Sequence, residues 1–188
     1  NQREVMDAKD RMVMRYDYAL LGTRIHQASM EAGERWMLND VTGKAINAWD
    51  SRDHTFRIAY DSLRRSTDSF VREGAGPELI VGQTAYGESR AASETNNLRG
   101  KVVEVRDQAG VVTSEAYDFK GNSLPIGSRL ARSYNTTVDW AGPVPLEPET
   151  YSGRTRYDAL NRALQVIAPH SDQPGAKVNI TQPFYNEA

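Results

Sequence analysis

The chain has 188 residues, 39% of them hydrophobic, a formal net charge of −2 and a pI near 6.0. That length suffices for one core and one continuous unit, and the charge gives no field suited to a polyanion, so nucleic acid is not an expected partner. The absence of cysteine excludes a disulfide framework and a thiolate metal site while leaving the compartment open, nothing at the N-terminus has the form of a signal peptide, and no window approaches the roughly 18–20 apolar residues of a membrane span.

Residues 11–18 alternate, with Met12, Met14, Tyr16 and Tyr18 on one side and Arg11, Val13, Arg15 and Asp17 on the other, the period of a strand with one buried face. Residues 20–23 supply a turn at Gly22. Over 24–38 a helix competes, because residues 27–32 favour it on propensity. Gly33 interrupts that run and the repeat described below expects strands on both sides, so the segment reads as two strands. Ala45–Trp49 and Thr55–Tyr60 then form a hairpin about a polar turn at 50–53, and residues 65–71 leave as the next strand. Residues 73–97 break the rhythm with Gly74, Gly76 and Pro77 and read as an insertion holding one strand. The rhythm resumes with Val102–Arg106, a turn at 107–110 and a return through Val111–Tyr117, matching 39–61 almost element for element. A second insertion at 137–150 carries Pro143, Pro145 and Pro148, which exclude a central strand and leave an extended segment that tucks Trp140 against the sheet. Strands at 151–157 and 163–168 follow, and Val178–Ile180 with Phe184-Tyr185 begin another.

One phrase organises all of this. Tyr157-Asp158-Ala159-Leu160-Asn161-Arg162 returns in weaker copies at Tyr16-Asp17, Tyr60-Asp61 and Tyr117-Asp118, with degenerate forms at Asn39-Asp40 and Asn96-Asn97. A turn residue or base follows each pair, as at Gly43, Gly100, Gly121 and Arg162. Copies 39 and 60 are 21 residues apart, as are 96 and 117, and 16 to 39 is a looser 23. A period of about 20 residues marks a repeat protein, here an all-β chain of antiparallel hairpins forming a curved strip. In such a unit the tyrosine buries against the neighbouring hairpin, the acid closes the turn through backbone amides, and the glycine supplies positive φ. A pair repeated four times reads as scaffold, since an active site departs from a repeat.

The phrases at 157–162, at 116–122 (Ala-Tyr-Asp-Phe-Lys-Gly-Asn) and at 49–54 (Trp-Asp-Ser-Arg-Asp-His) resemble the Rhs/YD-repeat family, most closely the Rhs-type segment of the B and C components of bacterial insecticidal toxin (Tc) complexes and their SpvB-like relatives. The resemblance covers nearly all of residues 1–188. It implies that hairpins wind into a strip coiled as a hollow shell around a toxic polypeptide, in a secreted or cell-surface bacterial setting. The implied partners are the remaining repeats or a paired shell component, the enclosed C-terminal toxin and a Tc-type translocation component. The family's self-cleavage signature, an aspartate-proline segment after the repeats, has no counterpart here, so no catalytic residue carries over. Repeat-like sequence at both ends leads us to expect a piece of a longer polypeptide, whose open strand edges would favour self-association.

No chemistry outside the repeat competes strongly. His26, His54 and His170 lack partners at metal-site spacing, and Asp50, Asp53 and His54 crowd a turn with too few acids for a calcium loop. Gly43-Lys44 and Gly100-Lys101 lack the upstream glycine of a P-loop, and no Gly-x-Ser-x-Gly elbow occurs. No cofactor, metal or catalytic activity is expected. The alternative function is a carbohydrate-binding surface stacking sugars on Trp36, Trp49 and Trp140, although aromatics at repeat positions more often serve packing.

Overall fold

The computed structural model describes residues 1–186, and its regular structure is strand apart from a single 3-10 turn at Gly87–Ser89. Two compact units divide the chain, Asn1–Val81 and Gly82–Ala188. Both are built the same way, from strands that each pair antiparallel with their sequence neighbours.

The first unit holds β1 (Glu4–Met6), β2 (Met12–Tyr18), β3 (Arg24–Ser29), β4 (Gly33–Asn39), β5 (Ala45–Asp50), β6 (His54–Tyr60) and β7 (Ser66–Glu73). Residues 24–39 form a hairpin and not a helix, registered His26↔Trp36 and Gln27↔Arg35. Side-chain alternation fixes two faces. Met14, Met37, Phe56 and Val71 share one, through the pairs Met37↔Ala48, Ala48↔Phe56 and Phe56↔Val71. His26, Trp36, Trp49, Arg57 and Phe70 share the other, through His26↔Trp36, Trp36↔Trp49 and Arg57↔Phe70. Arg57 stacks on Phe70 at 3.6 Å from the ring centre and pairs with Glu78 at 2.6 Å. No described residue of this unit is fully buried. The expected single core is therefore absent from it, because a one-layer sheet has nothing to close over either face.

The strand expected inside the first insertion is β8 (Leu79–Tyr86), whose residues from Gln83 pair with β9 (Val102–Arg106) in the second unit; the irregular part is the loop between them, 87–101. β10 (Gly110–Ser114), β11 (Pro125–Leu130), β12 (Tyr151–Tyr157), β13 (Ala163–Ser171) and β14 (Ile180–Thr181) complete the unit in sequence order. The second insertion is the connection 131–150 between β11 and β12. It bends back so that the Trp140 indole N–H donates to the Asp107 carbonyl at 3.0 Å, with Arg106 over the ring.

The buried apolar side chains among the described residues are Leu98, Val103, Val138 and Trp140. Three of the four come from the two insertions. The hairpins supply the sheet, and the segments that break the repeat supply what covers it.

Candidate functional site

The repeated turns form one construction. In turn 158–162 the Asp158 N–H donates to the Arg162 carbonyl (2.9 Å) and the Asn161 N–H to the Asp158 carbonyl (3.0 Å). Asp158 Oδ1 accepts from the backbone N–H of Leu160 (2.9 Å) and Arg162 (2.8 Å), and Oδ2 accepts from Arg162 Nε (2.8 Å). The acid thus satisfies two amides and a guanidinium at once. Asp7 with Arg11, Asp61 with Arg65 and Asp118 with Asn122 repeat the arrangement. In turn 40–44, Asp40 accepts from the Thr42 and Lys44 amides, and its second oxygen meets the Arg64 guanidinium. The fourth turn residue always has positive φ: +84° at Gly43, +90° at Gly121, +67° at Asn161 and +62° at Arg64. A type I turn closed by a left-handed residue adds one residue to one strand, which produces a bulge. Register shifts duly fall immediately before Asn39, Tyr60 and Tyr157.

The sequence misplaced the first copy. Tyr16 and Asp17 lie inside β2, where Asp17 Oδ2 meets His26 Nδ1 at 2.8 Å. The turn falls at 19–23 with Ala19 in the acid's place, its N–H donating to the Thr23 carbonyl at 2.8 Å, and Tyr18 is the aromatic before it. Measured from Tyr18 the spacing is 39 − 18 = 21, equal to 60 − 39 = 21. That regularity is the signal which should have selected Tyr18.

Side chains link successive turns along this end of the strands. The Tyr60 hydroxyl donates to the Ala45 carbonyl (2.6 Å), Tyr117 to Val102 (2.5 Å) and Tyr185 to Ala163 (3.0 Å). In each case the accepting residue follows the base that ends an earlier turn, and that base lies over the tyrosine ring: Lys44 on Tyr60, Lys101 on Tyr117, Arg162 on Tyr185. Lys44 also donates to the Arg64 carbonyl, Lys120 to the Ala159 carbonyl, and Asn122 Nδ2 to Asn161 Oδ1 at 2.5 Å. Gly100 has φ +73° and ends the first insertion beside Lys101, while Asn97 Nδ2 donates to the Tyr117 carbonyl at 2.9 Å. Removing a single rung tests the ladder. Tyr60→Phe, which deletes only the hydroxyl, is expected to lower stability by about 0.5–1.5 kcal/mol in urea unfolding.

The same contacts hold the turn acids below the ordinary carboxylate range. The Arg162 amide and guanidinium do so for Asp158, the Arg65 amide for Asp61, the Asn122 side chain for Asp118 and the Arg11 amide for Asp7. An acid whose folded value lies below its unfolded value stabilises the fold above the unfolded pKa, and that stabilisation disappears as pH falls through the folded value. The urea midpoint is therefore expected to hold from pH 7 to pH 5 and to fall as the pH goes below 3.8, the ordinary value for an aspartate. A midpoint that already falls between pH 7 and pH 5 would mean that the turn acids are not the groups that set the pH dependence.

Elsewhere the site chemistry is sparse. Among the described residues no three His, Cys, Asp or Glu gather as a metal site. His54 caps its own turn, its amide and Nδ1 both meeting Asp50 Oδ1 at 3.0 and 3.1 Å. Trp36 and Trp49 stand opposite each other on adjacent strands, 40% and 39% exposed, against the expectation that aromatics at such places are buried; His26 stacks on Trp36 at 5.2 Å. Trp140, in the second unit, is buried.

No family profile matches the chain. It is 26% identical over 172 residues to toxin subunit YenC2 of Yersinia entomophaga, covering 79% of this chain and 18% of that protein. Solved structures with the same fold include a TcdB2–TccC3 complex (TM-score 0.74, 20% identity, 90% of this chain and 10% of that one) and a Photorhabdus luminescens Tc holotoxin pore (TM-score 0.75, 20% identity, 93% and 9%). The chain thus spans about a fifth of its curated relative and a tenth of the solved chains. The likeness read from the YD phrases, to the Rhs-type segment of Tc toxin components, holds in both comparisons.

Proposed function

We propose that this chain is a structural repeat segment, part of the wall of a Tc-type β-shell that encloses a toxic polypeptide, with no catalysis of its own. One observation carries the reading: the first unit is a single layer whose strands are tied together along the turn ladder while neither face is covered. A sheet built this way gains stability from its neighbours in the strip and presents an unbroken surface, which suits a wall. The likeness to toxin subunits supports it. On this reading the partners are the other repeats or a paired shell component, the enclosed C-terminal region and a translocation component, and the setting is secreted or cell-surface.

Limited proteolysis of the full-length polypeptide tests it, with and without mild denaturant. Protection of the region C-terminal to the repeats until the repeats unfold is the expected result. Immediate cleavage of that region while the repeats stay intact would sink containment. The exposed Trp36–Trp49 pair favours a second reading, a glycan-stacking surface. It requires that iodide quench this tryptophan fluorescence in the full-length polypeptide and that oligosaccharide protect against quenching.

A further inference from the structure

One rung of the turn ladder departs from the others. Arg162 shows what closes a rung: its Nε donates to Asp158 Oδ2 at 2.8 Å, and its guanidinium lies over the Tyr185 ring at 4.6 Å. Lys44 and Lys101 likewise cover Tyr60 and Tyr117, at 5.7 and 5.6 Å. Register decides which position serves which ring. Four residues out from Val166↔Thr181 bring 162 opposite 185, three out from Asn47↔Arg57 bring 44 opposite 60, and three out from Pro125↔Arg154 bring 122 opposite 157. Position 122 is an asparagine.

That shorter, neutral side chain leaves the rung incomplete. Asn122 Nδ2 donates to Asp118 Oδ2 at 2.8 Å, so this acid meets an amide where Asp7, Asp61 and Asp158 each meet a guanidinium. Among the described residues no cation lies over the Tyr157 ring. Its hydroxyl, which the other rungs would aim at the Ser123 carbonyl, meets no hydrogen-bond partner. A cavity of about 530 Å³ opens at the same place, with Asn122, Leu124 and Ile126 on one side, Tyr151 and Tyr157 along β12, and Val166 beyond. Arg154 borders it too, but β12 alternates regularly, so its exposed side chain belongs with Ser152 and Arg156 on the opposite face. The neighbouring lysines are engaged, Lys120 at the Ala159 carbonyl and Lys101 on the Tyr117 ring.

The closed rungs indicate the ligand. A tyrosine face attracts a cation, and the stem of a long basic side chain packs along apolar walls while its head stays polar. A neutral ring or a sugar would stack on Tyr157 yet leave Asp118 without the charge that its counterparts meet. We propose that the cavity between Asn122 and Tyr157 is a socket for a basic side chain, an arginine or lysine presented by another polypeptide. Its head takes the place that a base holds in the closed rungs, over the Tyr157 ring and beside Asp118, and its stem lies along Leu124 and Ile126. The socket needs only the second unit and stands or falls apart from the shell-wall reading.

The test nitrates the full-length polypeptide with tetranitromethane and follows each tyrosine by peptide mass analysis, with Tyr60 and Tyr117 as closed-rung controls in the same sample. Tyr157 is expected to react at least about threefold faster than either control. N-acetylarginine amide should slow it at least about threefold more than the neutral isostere N-acetylcitrulline amide, the order of gain for a cation over an aromatic face. Asn122→Arg should bring Tyr157 to the rate of Tyr60 and abolish the effect of added arginine amide, whereas the uncharged Asn122→Gln should leave Tyr157 fast. Tyr157 as slow as the controls in the unsubstituted protein overturns the proposal. Equal protection by the citrulline compound does so too, marking a site for neutral ligands, as does an Asn122→Arg protein in which Tyr157 stays fast while Tyr60 and Tyr117 stay slow. Faster nitration of the two controls reports misfolding of that variant, and Asn122→Lys then decides by the same criteria.

Discussion

Replacing Trp140 by alanine is expected to lower the stability of the second unit by about 3–5 kcal/mol, the range for removing a buried tryptophan. Trp140 is 8% exposed, its indole N–H satisfies the Asp107 carbonyl, and it covers the sheet beside Arg106. Val138 is held in the same place by two contacts with Gln108, whose Oε1 accepts from the Val138 N–H at 2.7 Å and whose Nε2 donates to the Val138 carbonyl at 3.0 Å. The prediction therefore has a local readout as well. Residues 131–150 should become cleavable by protease at denaturant concentrations where β9 to β13 remain folded. An unchanged urea midpoint would mean that this segment merely lies on the sheet.

Gly87→Ala is expected to cost about 1–3 kcal/mol, the usual range for overfilling a packed site. A Cβ there would lie 2.3 Å from the Leu98 carbonyl oxygen and 2.5 Å from the Leu98 Cβ, and Gly87 is itself buried. Its N–H donates to the Lys101 carbonyl at 3.0 Å, so the base of the first insertion has no room to shift. Gly100→Ala is the control, since nothing lies within 4 Å of its Cβ and the positive φ is the only penalty. A larger urea-midpoint loss at Gly87 than at Gly100 is the expected order; equal losses would show that Leu98 moves aside.

Both predictions fall on insertions, where reading the sequence was hardest. The 21-residue rhythm located β5, β6, β9 and β10 because a hairpin carries its own punctuation: an acid, a residue tolerant of positive φ and a base within five positions. Tyr16-Asp17 misled because an adjacent aromatic and acid can occur inside a strand, and only the hydrogen bonds of turn 19–23 show that Ala19 holds the acid's position without a carboxylate. The burial of Leu98, 11 residues beyond Gly87 in a loop, followed no period at all.

The turn chemistry and the antiparallel order were thus determined by the sequence itself, since both depend on residues within about one hairpin of each other. The exposed apolar tips at alternate turns, Val41, Leu63, Phe119 and Leu160, were also written there, but their common end remained invisible until the strands were laid side by side. What the tertiary structure alone decided is the cover. Trp140 reaches Asp107 across 33 residues and Leu98 meets Gly87 through a loop, contacts that no local pattern encodes. Trp36 and Trp49, identical in type to Trp140, stay exposed in a unit whose described residues are all strands and short turns, with no long connection such as 131–150.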